Sequence, residues 1–310
     1  MEPVTQKTNV NNPLPTVSPK QRKRKNLFTS YGFVAPAIIL LFVFLILPAI
    51  LALYFSFTNY YLLTPEQTKF VAFENYKRLA EDSLFLKSLG NTALFVVIVV
   101  PVQTLVALAL ALLVNQKLMG IKFFRMAFFA PVVTSMVIVS ILWTFIYNPD
   151  NGLANSILNI VGLGPFQFLT DKDQALYSII FMSIWQGAGY QMMIFLAGLQ
   201  DIPDHQYEAA SIDGANAWQK LIHITIPGIR NILAFIAIVT MIAATKLFIQ
   251  PFVMTQGGPL DSTKTLVYMV YETGFKFRDV GYSSAIAILF FVIVLIISIL
   301  QRRFIKENTE

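Results

Sequence analysis

Residues 33–55 read FVAPAIILLFVFLILPAILALYF and contain no charged side chain. A helix needs about 20 mostly apolar residues to cross the hydrocarbon core of a bilayer. The stretch is longer than the apolar part of a cleavable signal peptide, and no small-residue cleavage site follows it. Backbone polar groups in lipid must be hydrogen-bonded within their own segment. The stretch therefore predicts a first membrane-spanning helix.

Five further stretches have the same character, and only Lys246 interrupts one of them. They predict helices at about residues 92–114, 127–147, 176–199, 232–253 and 283–301. Hydrophobic residues make up 56% of the chain and charged residues 13%, whereas a soluble domain carries about 25% charged residues. The stretches are too long and too uniformly apolar for the alternating strands of a membrane barrel. The fold class is therefore predicted to be an all-α integral membrane protein with six transmembrane helices.

The flanking regions are polar. Residues 1–26 are rich in Pro, Asn and basic side chains, and cannot bury enough apolar area to fold alone. We expect a disordered basic tail at 1–26, a membrane domain at 27–303 and a short tail at 304–310. Lys and Arg are more numerous in the tails and in the loops near 115–126 and 200–230 than in the opposite loops. This bias predicts that both termini lie in the cytoplasm.

The loop at about residues 203–227 has more pattern than a simple connector needs. Pro203-Asp204 predicts the start of a helix. Asp213-Gly214 predicts its end, because glycine tolerates a left-handed conformation. A second short helix is predicted over residues 217–225, and three apolar side chains share one of its faces, Trp218, Leu221 and Ile222. An exposed apolar face of this kind indicates a partner.

Several kinds of chemistry lack the residues they require. The chain has no Cys, which excludes thiol catalysis and cysteine metal sites. No Asp, Glu or His lies in a predicted span, which argues against a proton relay and an intramembrane enzyme. His205 and His223 have no partner cluster, so no metal site is predicted. The chain also lacks the G-x-x-x-x-G-K-[ST] sequence of an ATP-binding loop, so energy must come from another polypeptide.

The 203–227 loop contains Glu208-Ala209-Ala210, Asp213-Gly214-Ala215 and Ile224-Thr225-Ile226-Pro227. It resembles the EAA loop of permease subunits from binding-protein-dependent ABC importers. Landmarks typical of the carbohydrate-uptake branch follow in order across residues 30–303, including Ser56-Phe57-Thr58-Asn59-Tyr60, Phe73-Glu74-Asn75-Tyr76 and Thr255-Gln256-Gly257-Gly258-Pro259. The chain is identified as similar to the first permease of the maltose type, in its short six-span form. The resemblance implies the type I permease fold of ABC importers.

The resemblance also implies what the chain works with. A second homologous permease subunit would share the pathway, a dimeric cytoplasmic ATPase would bind ATP and Mg²⁺, and an extracytoplasmic solute-binding protein would deliver the solute. The chain would be a transport subunit and not an enzyme, with no cofactor of its own. It would be a multi-pass protein of the bacterial inner membrane, in contact with lipid and not with nucleic acid. The implied ATPase-coupling residues are Glu208, Ala209, Ala210, Asp213, Gly214, Trp218 and Leu221.

The substrate pathway is implied to lie against the fourth and fifth spans. Matching positions, with Gln250 added as a nearby amide, are Gly187, Tyr190, Thr240, Ala243, Ala244, Leu247 and Gln250. Ala244 and Leu247 stand where maltose-type relatives have amide side chains, which argues against maltose. On one continuous helix, Thr240 and Gln250 would be about 15 Å apart, and Lys246 would be rotated by about 240° from Thr240.

Two features of the spans leave alternatives open. Gly187 and Gly189 indicate either close helix packing or an unwound or pocket-facing stretch with Tyr190 as a platform for stacking a sugar. Lys246 either lines the pathway or is a structural residue. As a structural residue it would extend to the membrane surface or pair across a subunit interface.

The function that the resemblance implies is ATP-driven import of a sugar or a sugar-like solute. The alternative is the same machinery importing a polyol, a glycosylated osmolyte or glycerol 3-phosphate, since specificity resides mainly in the separate binding protein. A self-contained secondary transporter would show internal repeats and ionisable coupling sites at the membrane midplane. The sequence shows neither, and such a transporter would not explain the 203–227 loop.

Overall fold

The computed structural model of the protein describes residues 31–116 and 119–307. The tail predicted at 1–26 lies outside the described residues, as do residues 308–310 of the second predicted tail. The chain divides into two compact units, Met1–Leu51 and Ala52–Glu310. The described part of the first unit is helical from Tyr31 onwards. The contacts discussed below all lie within the second unit.

The described residues form helices joined by loops, with two isolated β-bridges. In chain order the α-helices of at least four residues are α1 (Tyr31–Phe55), α2 (Glu74–Glu81), α3 (Ser83–Val114), α4 (Ile121–Val133), α5 (Met136–Ile146), α6 (Leu153–Ile160), α7 (Ala175–Gln200), α8 (Asp204–Ile212), α9 (Ala217–Lys220), α10 (Arg230–Thr245), α11 (Ile249–Met254), α12 (Leu266–Tyr271) and α13 (Val280–Glu307). Single π-helical turns lie within α1 and continue α9 and α12, at Phe42–Ile46, Leu221–Thr225 and Glu272–Lys276.

Among the described residues, five helical stretches are long and apolar enough to cross a membrane. They are Tyr31–Phe55, Ser83–Val114, Ala175–Gln200, Arg230–Met254 and Val280–Gln301. Each covers one of the stretches predicted from the sequence, so the prediction of an all-helical membrane protein is confirmed. The total rises to six if the pair α4 and α5 forms one span.

The third predicted span, at 127–147, is not one continuous helix. It falls on α4 and α5, whose axes are bent by 101°. Thr134 and Ser135 between them have extended backbone conformations. Pro131 lies three residues before the bend, and a proline removes one helical hydrogen bond. The prediction of a continuous helix is therefore wrong, although the composition that prompted it is that of a membrane segment.

Two predicted helix boundaries also differ from the structure. Helix α3 begins at Ser83 rather than near residue 92, because the Asp82 carboxylate caps it by accepting hydrogen bonds from the backbone N–H groups of Leu84 (2.8 Å) and Phe85 (3.3 Å). Helix α13 continues to Glu307, so the tail predicted to start at 304 begins as a helix. Apolar length alone marks the part of a helix in lipid and misses the polar turns beyond it.

The helices around α7 form the main core. Helix α3 packs along α7, and α10 packs against both. Near the ends of α7 and α10 that adjoin the 203–227 loop, the core is built from fully buried residues on these three helices, including Ala111, Met192, Phe195 and Ile236. Towards the other end a second cluster includes Phe95, Ile179 and Leu247. Helix α7 is unbroken over its 26 residues, so its two ends lie about 39 Å apart.

The loop residues 56–82 and 255–279 lie together at the end of the bundle away from the 203–227 loop. Arg78 forms a salt bridge with Asp279 at 2.9 Å, and the Tyr282 hydroxyl donates a hydrogen bond to Asp82 at 2.6 Å. The Asn91 amide donates to the carbonyl oxygens of Asp261 and Lys264, each at 2.9 Å. These bonds join segments that are far apart in sequence and fix residues 255–265 over the ends of α3 and α10.

Candidate functional site

A cavity of about 390 Å³ lies between α3, α7, α10 and the turn that joins α4 to α5. Its walls combine aromatic rings with amide side chains and one lysine. It is lined by every residue that was predicted for the pathway, namely the six positions matched by resemblance, Gly187, Tyr190, Thr240, Ala243, Ala244 and Leu247, and the added amide Gln250. The structure thus brings together in space residues that lie up to 63 positions apart in the chain.

The fifth span breaks beside this cavity. Helix α10 ends at Thr245, and α11 begins at Ile249. The carbonyl oxygen of Leu247, in the break, accepts a hydrogen bond from the Thr265 hydroxyl at 2.6 Å. A freed backbone carbonyl in a membrane segment is tolerated only where such a partner satisfies it. The 255–265 segment therefore holds the break in place.

Because of the break, the separation and the rotation that were predicted for a continuous helix in this span are wrong. A continuous helix was expected over 232–253, with Lys246 rotated away from Thr240. Because the helix is interrupted at Lys246–Phe248, neither the rotation of about 240° nor the separation of about 15 Å applies. Lys246 is exposed in this chain and lines the same cavity as Thr240 and Gln250. By insertion scales, placing a lysine at the centre of a spanning helix raises the free energy of membrane insertion by about 2.5–3.5 kcal/mol. A position beside a cavity is therefore more favourable for Lys246 than one in lipid.

Thr240 is less accessible than a solute-binding hydroxyl would be. The residue is 5% exposed, and its hydroxyl donates to the Ile236 carbonyl oxygen at 2.6 Å and accepts a hydrogen bond from the Gln191 amide. Gln191 is itself 5% exposed, and its Oε1 atom has no hydrogen-bond partner among the described residues. Thr240 thus positions Gln191, and both side chains are buried.

The two glycines of α7 have different surroundings. A Cβ atom on Gly189 would collide with the backbone carbonyl oxygen of Phe128, so this glycine lets α7 and α4 pack closely. A Cβ atom on Gly187 would lie 2.5 Å from Nε2 of Gln103, a cavity residue on α3. Because α7 is continuous, the alternative of an unwound stretch is wrong. Gln103 was not singled out from the sequence, although an amide in an otherwise apolar run is a usable signal.

Tyr190 presents an accessible aromatic surface in the wall of the cavity. It is 51% exposed and lines the cavity together with Phe235 and Phe248. Among the described residues, none forms a hydrogen bond with its hydroxyl. An aromatic face with a few hydrogen-bonding groups in a mostly apolar cavity suits a small polar ligand with apolar ring faces, such as a sugar.

The 203–227 loop has the two helices that the sequence predicted. Helix α8 ends in the hydrogen-bond pattern of a glycine C-cap: the backbone N–H of Gly214 donates to the Ser211 carbonyl, and that of Ala215 donates to the Ala210 carbonyl at 2.8 Å. Gly214 has φ +78°, a left-handed conformation that favours glycine. Asn216 and Gln219 then cap α9 reciprocally. Hydrogen bonds between neighbouring residues therefore explain both the turn at Gly214 and the start of α9.

The outer face of this loop is apolar and exposed. Trp218 is 67% exposed, while Leu221 is half-buried. Ile212, which was not singled out from the sequence, is 87% exposed at the end of α8. The remaining predicted coupling residues are exposed except for the half-buried Ala210, and they are Glu208, Ala209, Asp213 and Gly214. Exposed large apolar side chains next to a rigid turn are typical of a protein contact surface.

The two short helices of the loop are hydrogen-bonded to each other, and the loop packs against the helical bundle. The hydroxyl groups of Tyr207 and Thr225 are hydrogen-bonded at 3.0 Å, and Lys220 Nζ donates to the Ser211 hydroxyl at 2.7 Å. Tyr207 also packs against the core cluster of α3, α7 and α10. The two short helices are therefore in contact with the helices that line the cavity.

The 255–279 segment contains a buried charge network. Lys264 Nζ lies 2.6 Å from the Glu272 carboxylate and 2.9 Å from Asp261, and Lys276 also contacts Glu272 at 3.1 Å. Burial acts to raise the pKa of Glu272, but hydrogen bonds from Lys264 and Lys276 outweigh it and lower the pKa. Burial acts to lower the pKa of Lys264, but hydrogen bonds to Glu272 and Asp261 raise it. Lys264 and Glu272 are therefore both charged at neutral pH.

Comparisons with known proteins agree with the sequence resemblance. Residues 26–308 match the family described as binding-protein-dependent transport system inner membrane component. The "Probable ABC transporter permease protein YurN" of Bacillus subtilis is 36% identical over 291 residues, covering 92% of this chain and 99% of that protein.

Two further comparisons concern proteins with described cargo. The multiple sugar-binding transport system permease protein MsmF of Streptococcus mutans is 34% identical, covering 92% of this chain and 98% of that protein. A solved structure of a bacterial ABC transporter involved in the import of the acidic polysaccharide alginate aligns with a TM-score of 0.81 at 22% identity. It covers 94% of this chain and 100% of that chain. At this level of identity the structural match establishes the fold.

Proposed function

Because this chain belongs to the family of inner membrane components of binding-protein-dependent transport systems, we propose that it forms half of the membrane pathway for a sugar or a sugar-like solute. It is an ABC transporter permease, a multi-pass inner membrane subunit that transports and does not catalyse. A second homologous permease supplies the other half of the pathway. What supports the proposal most is that all seven implied pathway residues line the same cavity.

The chemistry of the cavity and the names of the relatives favour a saccharide. The cavity offers aromatic surface from Tyr190 and amide groups from Gln103, Gln191 and Gln250, which suits a ligand with apolar ring faces and many hydroxyls. The relative MsmF is described as part of a multiple sugar-binding system, and AraP of Bacillus subtilis, 31% identical over 309 residues, as part of one for arabinooligosaccharides. A polyol, a glycosylated osmolyte or glycerol 3-phosphate remains the alternative cargo.

The topology follows from counting spans and basic residues. If α4 and α5 together form one broken span, the chain has six spans and both termini lie on one side. The excess of Lys and Arg on that side assigns it to the cytoplasm. The 203–227 loop is then cytoplasmic, and residues 56–82 and 255–279 are extracytoplasmic.

The 203–227 loop is the docking element for a cytoplasmic ATPase. Ile212 and Trp218 provide apolar contact area at the rigid Gly214 turn, and Glu208 provides a charge for a basic residue of the ATPase. Closure of the ATPase dimer on ATP and Mg²⁺ would move α8 and α9 together, since hydrogen bonds join them. That motion reaches α7 and α10, which begin or end at this loop and line the cavity.

The joined loops on the opposite face are the docking surface for the solute-binding protein. A related transporter structure is described as a complex with an alginate pentasaccharide-bound periplasmic protein. In this chain the 255–265 segment touches the break of the fifth span through Thr265. Docking that moves this segment would therefore also move the break beside the cavity.

The pathway assignment is tested by replacing Tyr190. Tyr190→Ala removes the aromatic face, and we expect uptake of labelled oligosaccharide into proteoliposomes containing the complete transporter to fall about tenfold, equivalent to about 1.4 kcal/mol. Tyr190→Phe is the matched control, because it keeps the ring and removes a hydroxyl without a partner. Its uptake should stay within about threefold of the wild type.

The same vesicles show whether a loss of uptake is specific. Assembly with the second permease and the ATPase, measured by co-purification, should be unchanged in both variants. Wild-type uptake by a well-assembled Tyr190→Ala transporter would remove Tyr190 from the pathway.

A further inference from the structure

Lys246 brings a positive charge to a cavity without a negative one. The cavity residues include no Asp or Glu, and Lys246 lies among neutral amides, aromatic rings and aliphatic side chains. It follows directly on the C-terminus of α10, where the helix dipole favours a cation. The helix end therefore favours a positive charge at this position, and no residue that lines the cavity supplies a negative one.

The acidic residues closest to Lys246 in sequence already form salt bridges with another lysine. In sequence, Asp261 and Glu272 are the acidic residues that follow Lys246 most closely, and both contact Lys264 in the buried network. The helical stretches at 83–114, 121–146, 175–200, 230–254 and 280–301 contain no Asp or Glu. Among the described residues, none forms a salt bridge or hydrogen bond with the Lys246 side chain. An intramembrane lysine of this kind normally pairs with another group in the cavity.

The other polar groups of the cavity select for hydroxyls rather than for charge. Gln103, Gln186, Gln191 and Gln250 carry neutral amides that donate and accept hydrogen bonds. Together with the Tyr190 ring they match a saccharide, and they leave the ammonium group as the only ionic contact that the lining residues of this cavity offer.

We propose that Lys246 binds an anionic group of the transported solute, so that the chain carries an acidic saccharide with a carboxylate or a phosphate group. The ammonium group pairs with the anion, the amides bind hydroxyl groups, and Tyr190 packs against a sugar ring. The proposal rests on the function proposed above and narrows its substrate class. It also makes Lys246 a specificity-determining residue, which neither the family nor the cavity shape alone would assign.

The test compares three labelled probes in proteoliposomes that contain the complete transporter. The probes are neutral maltotriose, the uronate digalacturonate and the sugar phosphate glucose 6-phosphate. We expect ATP-driven uptake of at least one anionic probe, with uptake of the neutral probe at least about tenfold lower. Uptake of the uronate alone or of the phosphate alone identifies which anion the site accepts, and both results support the proposal.

Variants of Lys246 link the charge preference to this residue. Lys246→Met should lower uptake of the anionic probe by about tenfold or more, whereas Lys246→Arg, which keeps the charge, should retain at least about a third of it. Lys122→Met is the matched control, since Lys122 is an exposed lysine on α4 that is not among the residues lining the cavity. It should leave uptake unchanged.

Each contrary result has a separate meaning. ATP-driven uptake of maltotriose that Lys246→Met leaves intact would overturn the inference and leave the proposed function standing. An equal loss for neutral and anionic probes, or failure of Lys246→Met to assemble while Lys246→Arg assembles, would show that the lysine pairs with the second permease, which also overturns the inference. Absence of ATP-driven uptake of every probe would overturn the proposed function and the inference together.

Discussion

Gly214→Pro is expected to abolish solute-stimulated ATP hydrolysis by the complete transporter while the chain still inserts into the membrane. Gly214 has φ +78°, which proline with its fixed φ near −65° cannot adopt, and its N–H donates to the Ser211 carbonyl. The substitution should cost at least about 3 kcal/mol in the turn, which is more than a hundredfold in the population of the docking-competent loop. Stimulated hydrolysis and co-purification of the ATPase measure the effect.

Gly214→Asn provides the matched control. Asparagine tolerates the left-handed conformation better than other side chains do, and a Cβ atom at this position would meet nothing within 4 Å. The variant should therefore keep most of the stimulated hydrolysis. If Gly214→Pro hydrolyses ATP and retains the ATPase as well as Gly214→Asn does, the loop is not the coupling element.

Gly189→Leu is expected to prevent recovery of a folded transporter. The backbone of α4 passes so close to Gly189 that even a Cβ atom would collide with the Phe128 carbonyl oxygen, and a larger side chain would force α4 away from α7. Overpacking of this kind costs about 1–3 kcal/mol and sometimes more. Detergent-solubilised complex should elute as aggregate in size-exclusion chromatography, where the wild type elutes as a single assembled peak.

A milder pair of variants separates packing from helix propensity. Gly189→Ala should lower the midpoint of heat-induced aggregation by about 5 °C, since it adds a methyl group at the same contact. Gly90→Ala changes a glycine of α3 whose Cβ would meet nothing within 4 Å, and it should leave the midpoint unchanged or raise it. Equal midpoints for the two alanine variants would contradict the close contact between α4 and α7.

The sequence predicts where membrane helices lie better than it predicts where they bend. Runs without charge located five spans, because lipid tolerates few charged residues whatever the tertiary structure. The same criterion cannot detect a change of direction within a run. Pro131 precedes the bend between α4 and α5, yet Pro101 lies inside the unbroken α3. Proline alone is therefore not a sufficient signal.

The break at Lys246 depends on a contact that local sequence does not contain. The carbonyl oxygen of Leu247 is satisfied by Thr265, 18 positions further along the chain. The prediction of a continuous helix placed Lys246 on a different face from Thr240, and that prediction is wrong. The pattern around Gly214 was easier to interpret, since both its cap and the next helix start are built from adjacent residues.

The resemblance predicted some of the residues that line the cavity, and only the structure identified the others. The six positions carried over from the family and the added Gln250 line a common cavity. The resemblance did not predict Gln103. Its amide fits against Gly187 on another helix because glycine has no Cβ atom. Thr240 was expected to face the solute, but its hydroxyl is used by Gln191 and Ile236.

The most direct test of the account is ATP-driven accumulation of labelled oligosaccharide in proteoliposomes from which one component is omitted at a time. We expect accumulation only when this chain, the second permease, the ATPase and the solute-binding protein are all present, and no ATP hydrolysis by this chain alone. Accumulation of solute by vesicles that contain this chain without the ATPase would contradict it, because the chain would then be a transporter with its own energy source.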